Sequence, residues 1–148
     1  MNLRTVCLAL AASPESVFNF VADIENLPRW APSLCERLFL ARGRWAALSP
    51  LGEVQVDLEA SAGTGVVDLR FAAPGERSAL LPLRVIALGP RASLLQVTFV
   101  PAPEWPEGVL QCDADTLLAD LEGLVRRFGG GEVCTAAPAP QLAELGLN

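Results

Sequence analysis

The hydrophobic pattern changes period twice along the chain. Leu3 to Ala11 is a short apolar run that predicts a strand. Ser13-Pro14-Glu15-Ser16 then opens a helix. Ser13 is suited to cap it, Pro14 to the first helical position, and Glu15 to the positive helix end. Val17, Phe18, Val21 and Ala22 follow at helical spacing. Asn26-Leu27-Pro28-Arg29-Trp30 predicts a second, short helix that Pro32 ends.

From about Cys35 to Val100 the period is two. Glu53-Val54-Gln55-Val56-Asp57-Leu58-Glu59-Ala60 alternates without a break, so one face is wet and one buried. The segments around Val67–Phe71, Leu83–Leu88 and Leu95–Phe99 alternate in the same way. Turn signals separate the runs at Ala41–Gly43, Ser49–Gly52, Ala62–Gly65, Pro74–Glu76 and Gly89–Pro90. An antiparallel meander of about six strands is expected. The period then returns to helical. A last helix is expected from near Pro106, strongest from Asp113 to Phe128, with Leu117, Leu121, Leu124, Val125 and Phe128 on one stripe. Arg126 and Arg127 complement its dipole, and Gly129-Gly130-Gly131 stop it. Residues 1–128 make one domain. Residues 129–148 read as a C-terminal tail, mobile or docked loosely.

This order implies an α+β fold. The long helix needs a partner for its stripe, and a curved antiparallel sheet has one apolar face to offer. At this point the chain resembles the START-like helix-grip superfamily (SRPBCC), which includes polyketide cyclase/dehydrase-like and lipid-transfer proteins. The carriers are Ser13 to Asp23, then Glu25-Asn26-Leu27-Pro28-Arg29-Trp30, similar to the family's "D-x-E-N-L-P-R-W" opening. Ser49 to Val54 and Gly63 to Asp68 look like two of its hairpin turns. The resemblance implies a curved antiparallel β-sheet wrapped around a long C-terminal α-helix, with two short helices after strand 1. It also implies binding of an apolar or aromatic small molecule between sheet and helix.

Composition narrows the chemistry. The chain has 148 residues, no histidine, no tyrosine and a net charge of −6; all of its bases are arginine. Without histidine there is no Ser-His-Asp or Cys-His pair, no H-E-x-x-H zinc site and no imidazole shuttle. Without lysine there is no Schiff base and no P-loop lysine. The acidic balance argues against nucleic acid. The longest uncharged stretch, Ala92 to Pro103, falls short of the ~20 residues of a membrane span. The apolar start is too short for a secretory signal and reads as the first strand. Cys7, Cys35, Cys112 and Cys134 form no C-x-x-C and read as reduced thiols of a cytoplasmic protein.

The expected ligand-lining residues are Trp30, Phe20, Leu27, Val56, Leu69, Phe99, Leu117 and Leu121. Trp30 is the leading tryptophan, able to stack and to give one N–H contact; Trp45 and Trp105 rank below it. The competing expectation for all of them is a closed, dry core. Glu53, Gln55, Asp57 and Glu59 belong to the wet face, and Asp23, Glu25 and Arg29 to a local ion pair at the helix junction. No catalytic residue, metal ligand or cofactor site is identified. The expected function is therefore non-catalytic binding of a hydrophobic small molecule of lipid, polyketide or aromatic type. The alternatives are a cyclase/dehydrase-like enzyme acting mainly by shape, and an interaction module with a vestigial cavity. The apolar excess is compatible with a homodimer.

Overall fold

The computed structural model describes residues 4–49, 52–73, 77–99, 105 and 114–135. The chain opens with β1 (Arg4–Leu10), then α1 (Pro14–Val21), a 3-10 turn (Ile24–Asn26) and α2 (Leu27–Trp30). The meander follows as β2 (Arg37–Ala41), β3 (Arg44–Ser49), β4 (Gly52–Ser61), β5 (Val66–Ala72), β6 (Ala79–Gly89) and β7 (Ala92–Phe99). The long helix, α3, is described over Ala114–Phe128, and a last strand, β8, over Gly130–Thr135. All eight strands form one antiparallel sheet in the order β2-β3-β4-β5-β6-β7-β1-β8.

Local chemistry accounts for the helix starts. The Ser13 hydroxyl accepts from the Ser16 N–H at 3.1 Å and Pro14 occupies the first turn of α1. Asp23 caps the 3-10 turn by accepting from the Glu25 N–H at 3.0 Å. The ion pair expected among Asp23, Glu25 and Arg29 gives way to these local bonds: Arg29 donates to the Asn26 side-chain oxygen at 3.3 Å. A cap satisfies a backbone donor that the helix leaves orphaned, which is worth more than an exposed ion pair.

The alternation of the strands becomes the two faces of the sheet. Val54 and Val56 of β4 stand beside Val67, Leu69 and Phe71 of β5 on the inner face, all buried. The opposite face carries Asp68, Arg70 and Arg84; Arg84 reaches Asp68 at 3.0 Å and Arg70 reaches Glu59 at 3.4 Å. The inner face packs against α3, whose Leu117, Leu121 and Leu124 are buried. Trp105 closes one side, stacked on Phe71 at 5.6 Å and tilted against Phe99 at 5.5 Å.

Two differences from the sequence reading stand out. Residues 130–135, read as the start of the tail, form β8 and pair with β1, with Cys134 opposite Cys7. Strand β6 begins at Ala79, four residues before the alternation at Leu83 becomes visible. Pro82 lies within it, opposite Asp68 of β5, whereas the ladder to β7 runs only from Leu83 onward. The missing proline N–H therefore costs no bond on that side. The turns at 50–51 and 74–76, the expected helix start at 106–113 and Cys112 lie outside the described residues.

Gly65 is required by the β4–β5 turn. Its φ is +70°, and a Cβ built there would collide with the Val85 carbonyl oxygen. The same approach lets the Val85 N–H donate to the Gly65 carbonyl at 2.8 Å. Gly65→Ala is expected to destabilise the fold by roughly 3 kcal/mol, about 6–12 °C in Tm. Gly63→Ala, where nothing lies within 4 Å, should stay within about 0.5 kcal/mol. Thermal unfolding of the two variants followed by circular dichroism checks this, and equal losses would refute the steric account.

Candidate functional site

The junction between α1 and α2 sets the geometry of the interior. The Asn26 side-chain amide donates to the Phe20 carbonyl at 3.0 Å, which ties the turn back onto α1. The Asp120 carboxylate of α3 accepts from the Ser33 N–H at 2.9 Å, which holds the segment after α2 against the long helix. At the far end of α3, the Arg127 guanidinium lies 4.1 Å over the Phe20 ring, and Phe20 meets Phe128 edge-on at 5.6 Å. Arg4 of β1 reaches Asp115 near the described start of α3 at 2.7 Å.

Within this frame the eight expected ligand-lining residues are all buried, and all belong to one apolar cluster. Phe20 sits on α1; Leu27 and Trp30 on α2; Val56, Leu69 and Phe99 on the sheet; Leu117 and Leu121 on α3. The structure thus brings them together around the seam between sheet and long helix.

Two recesses open beside the helical segment, one along α1 and one at the turn that follows it. One, of about 450 Å³, is bounded by Ala22 and Ile24 at the helix junction and by Trp45, Val56 and Leu58 of the sheet. It also reaches Asp57, Glu59 and Arg70. Strand alternation puts those three side chains on the face opposite Val56 and Leu58. The other, of about 480 Å³, lies between Glu15, Phe18 and Asn19 of α1 and the Gly63–Gly65 turn, with Val85 and Ala87 of β6 beneath. Both volumes fall in the usual range for small-molecule pockets. A further recess of about 560 Å³ has a mixed lining, with Ala41, Trp45 and Ala46 beside Arg42, Arg44, Glu53 and Gln55; Trp45 therefore borders both it and the 450 Å³ recess.

Of the eight expected residues, Val56 borders the 450 Å³ recess. The tryptophan at that recess is Trp45, placed with Trp105 below Trp30 by the sequence. Trp45 is half-buried; Trp30 is only 1% exposed. The available signal was the position of Trp45 in β3: the β3–β4 ladder pairs Ala47 with the buried Val54, so Trp45 shares the face of Val54 and Val56. Trp105 is a core aromatic.

Polar chemistry in the interior is sparse. Ser93 is the buried polar side chain among the described residues, and its hydroxyl donates to the Ala12 carbonyl at 3.2 Å. The Trp30 indole N–H is buried and has no hydrogen-bond partner among the described residues. Burial pushes the Cys35 thiol up to about 11, only partly opposed by a hydrogen bond from the Arg37 backbone. Among the described residues no three His, Cys, Asp or Glu side chains cluster as metal ligands. No described helix is long and apolar enough to cross a membrane.

No family model and no curated protein matches the sequence. Solved structures do match. The chain is similar to a START superfamily protein from Mycobacterium smegmatis, with a TM-score of 0.57, 21% identity, and 86% of this chain and 97% of the other covered. The fold is START-like. It is also similar to the Aha1 dimer from Colwellia psychrerythraea, at a TM-score of 0.62 and 11% identity, covering 86% of this chain and 96% of that one. A norcoclaurine synthase from Thalictrum flavum, solved in truncated form, aligns at a TM-score of 0.58 and 13% identity over 88% of this chain and 97% of that one. At these identities the START-like likeness concerns the fold and transfers no site residue.

The raised Cys35 thiol gives a pH dependence. The thiol is neutral in the fold up to about 11 but ionises near its ordinary 9.0 once unfolded. Its contribution to stability is therefore complete below pH 9 and lost as pH rises from 9 through 11. The chain has no lysine or tyrosine to titrate in that window, and arginine stays charged. Urea unfolding at pH 8 and pH 10.5 should show a loss on the order of 1–2 kcal/mol in the wild type that Cys35→Ala removes. Equal slopes in both proteins would contradict this placement of the thiol.

Proposed function

We propose that this protein binds a hydrophobic small molecule of lipid, polyketide or aromatic type between the inner face of the sheet and α3, without carrying out chemistry on it. The observation that carries the reading is the 450 Å³ recess whose inner wall is Ala22, Ile24, Trp45, Val56 and Leu58, continuous through Val56 with the buried cluster. A ligand seated there is held by shape and dispersion, with Trp45 as the one large amphipathic surface. Phe20, Leu27, Trp30, Leu69, Phe99, Leu117 and Leu121 belong to the same buried cluster as Val56, and on this reading they are the deeper part of the seat, towards α3. The protein works as a carrier or sensor in the cytoplasm, where Cys7 and Cys35, both free, stay reduced.

Norcoclaurine synthase is an enzyme of this fold, which makes catalysis the natural second reading. It asks for an acid or base beside the ligand. Asp57 and Glu59 approach the recess from the outer face, where Glu59 already bonds Arg70. That arrangement supports binding over turnover. Self-association is proposed as a secondary property: Leu40 is 62% exposed on the edge strand β2, and the Aha1 structure of similar fold is a dimer.

The test is binding of N-phenyl-1-naphthylamine, a neutral apolar fluorophore, followed by displacement with fatty acids, ketones and aromatics. The wild type should bind the probe, and Trp45→Ala should weaken it roughly 10-fold with little change in Tm. If neither the probe nor a broad ligand panel binds or raises the Tm, the binding reading is wrong. Conversion of a panel member into product would replace it with the enzymatic one.

A further inference from the structure

The Trp30 indole N–H is a donor that the fold leaves unpaired. The side chain is 1% exposed and its Nε1 has no partner, although buried donors are paired in the large majority of cases. The neighbouring Ala31, Leu34 and Cys35 are fully buried, and Cys35 is held neutral by that burial. A trapped water needs two or more polar partners of its own. The buried polar side chain among the described residues, Ser93, already donates to Ala12. An indole nitrogen can only donate, so its complement must be an acceptor.

The acceptor has a restricted chemistry. Among the described residues no arginine is buried, and the chain has no lysine or histidine to neutralise an anion in the interior. An ionised carboxylate placed beside Trp30 would be desolvated without a counter-charge, which is strongly unfavourable. A carbonyl or ether oxygen carries no such penalty. Resting on the reading that the interior takes an apolar ligand, we propose that Trp30 donates its indole N–H to a single neutral oxygen acceptor on that ligand. The ligand class is therefore a ketone, aldehyde, ester or ether with an otherwise hydrocarbon body. Pure hydrocarbons bind without this bond, and ionised fatty acids are disfavoured.

The experiment is a cycle between one atom pair in the protein and one in the probe. The probes are acetophenone and ethylbenzene, which differ by a carbonyl in place of a methylene. Trp30→Phe removes the N–H and keeps an aromatic ring. In the wild type, acetophenone should bind more tightly than ethylbenzene, and Trp30→Phe should cut acetophenone affinity by roughly 3- to 10-fold while leaving ethylbenzene within about twofold. The indole N–H cross-peak of Trp30 in a ¹⁵N-correlated spectrum, assigned by its absence from Trp30→Phe, should move with acetophenone and stay nearly still with ethylbenzene. If both probes bind and the substitution affects them equally, Trp30 is a packing residue and the inference fails while the binding reading survives. If neither probe binds at millimolar concentration, nor the naphthylamine fluorophore, the binding reading falls and this inference with it. If the fluorophore binds but neither small probe moves the Trp30 peak, the ligand seat does not reach Trp30, which overturns the inference alone.

Discussion

One packing requirement organises the molecule: the leucine stripe of α3 must be covered, and the sheet must curl to cover it. Leu117, Leu121 and Leu124 are buried against an inner face built of Val6, Leu8, Val67, Leu69 and Val97. Each fully buried aliphatic side chain contributes about 1.5–3 kcal/mol relative to exposure, so the seam outweighs any polar contact in the structure. Apolar burial is non-directional, however, and does not by itself fix how the helix lies. That falls to a few directional contacts along its length: Arg4 with Asp115 at the start, Asp120 with the Ser33 N–H in the middle, Arg127 and Phe128 with Phe20 at the end. All three partners, Arg4, Ser33 and Phe20, lie between β1 and the segment after α2, so the stretch that precedes the meander is the one that orients the helix that follows it.

The elements carried by strong alternation or by side-chain caps were legible in the sequence. Ser13 and Pro14 start α1 where expected, and β4, β5 and β7 follow their two-residue patterns. The parts that were hidden depend on partners far away in the chain. Strand β8 follows a glycine run that correctly signals the end of α3, Gly129 having a φ of +77°. Its strand character comes from backbone pairing with β1, more than 120 residues earlier, and pairing of that kind leaves no side-chain period. The first residues of β6 carry no alternation of polar and apolar side chains, and Pro82 is tolerated there because the ladder to β7 begins only at Leu83.

The same distinction separates the readable from the unreadable in the site. The Asn26–Trp30 stretch resembles a family signature, and its first residues shape the turn: Asn26 binds the Phe20 carbonyl and Arg29, and Leu27 is buried. Such a signature marks how the chain turns, which is a property of the fold. Trp45 belongs to a strand with four consecutive apolar residues, two of them the adjacent buried alanines Ala46 and Ala47. Alternation is ambiguous there, and only the register with β4 shows which face the indole takes. Charge could not resolve it, since the carboxylates nearest the recess are assigned to the other face by the same alternation.

The scarcity of polar groups then acquires a positive meaning. A pocket whose walls are aliphatic attracts any hydrocarbon of suitable size and discriminates weakly, because one methylene more or less changes little. Discrimination grows when a buried polar group must be satisfied, since a ligand that fails to satisfy it leaves the desolvation cost in place. An interior with many such groups would be wet in the free state and would gain little on binding. One with none would take everything. On the proposed reading, the one unpaired buried donor among the described residues is the minimum arrangement that would separate ligands by functional group, its unfavourable burial being relieved in the complex.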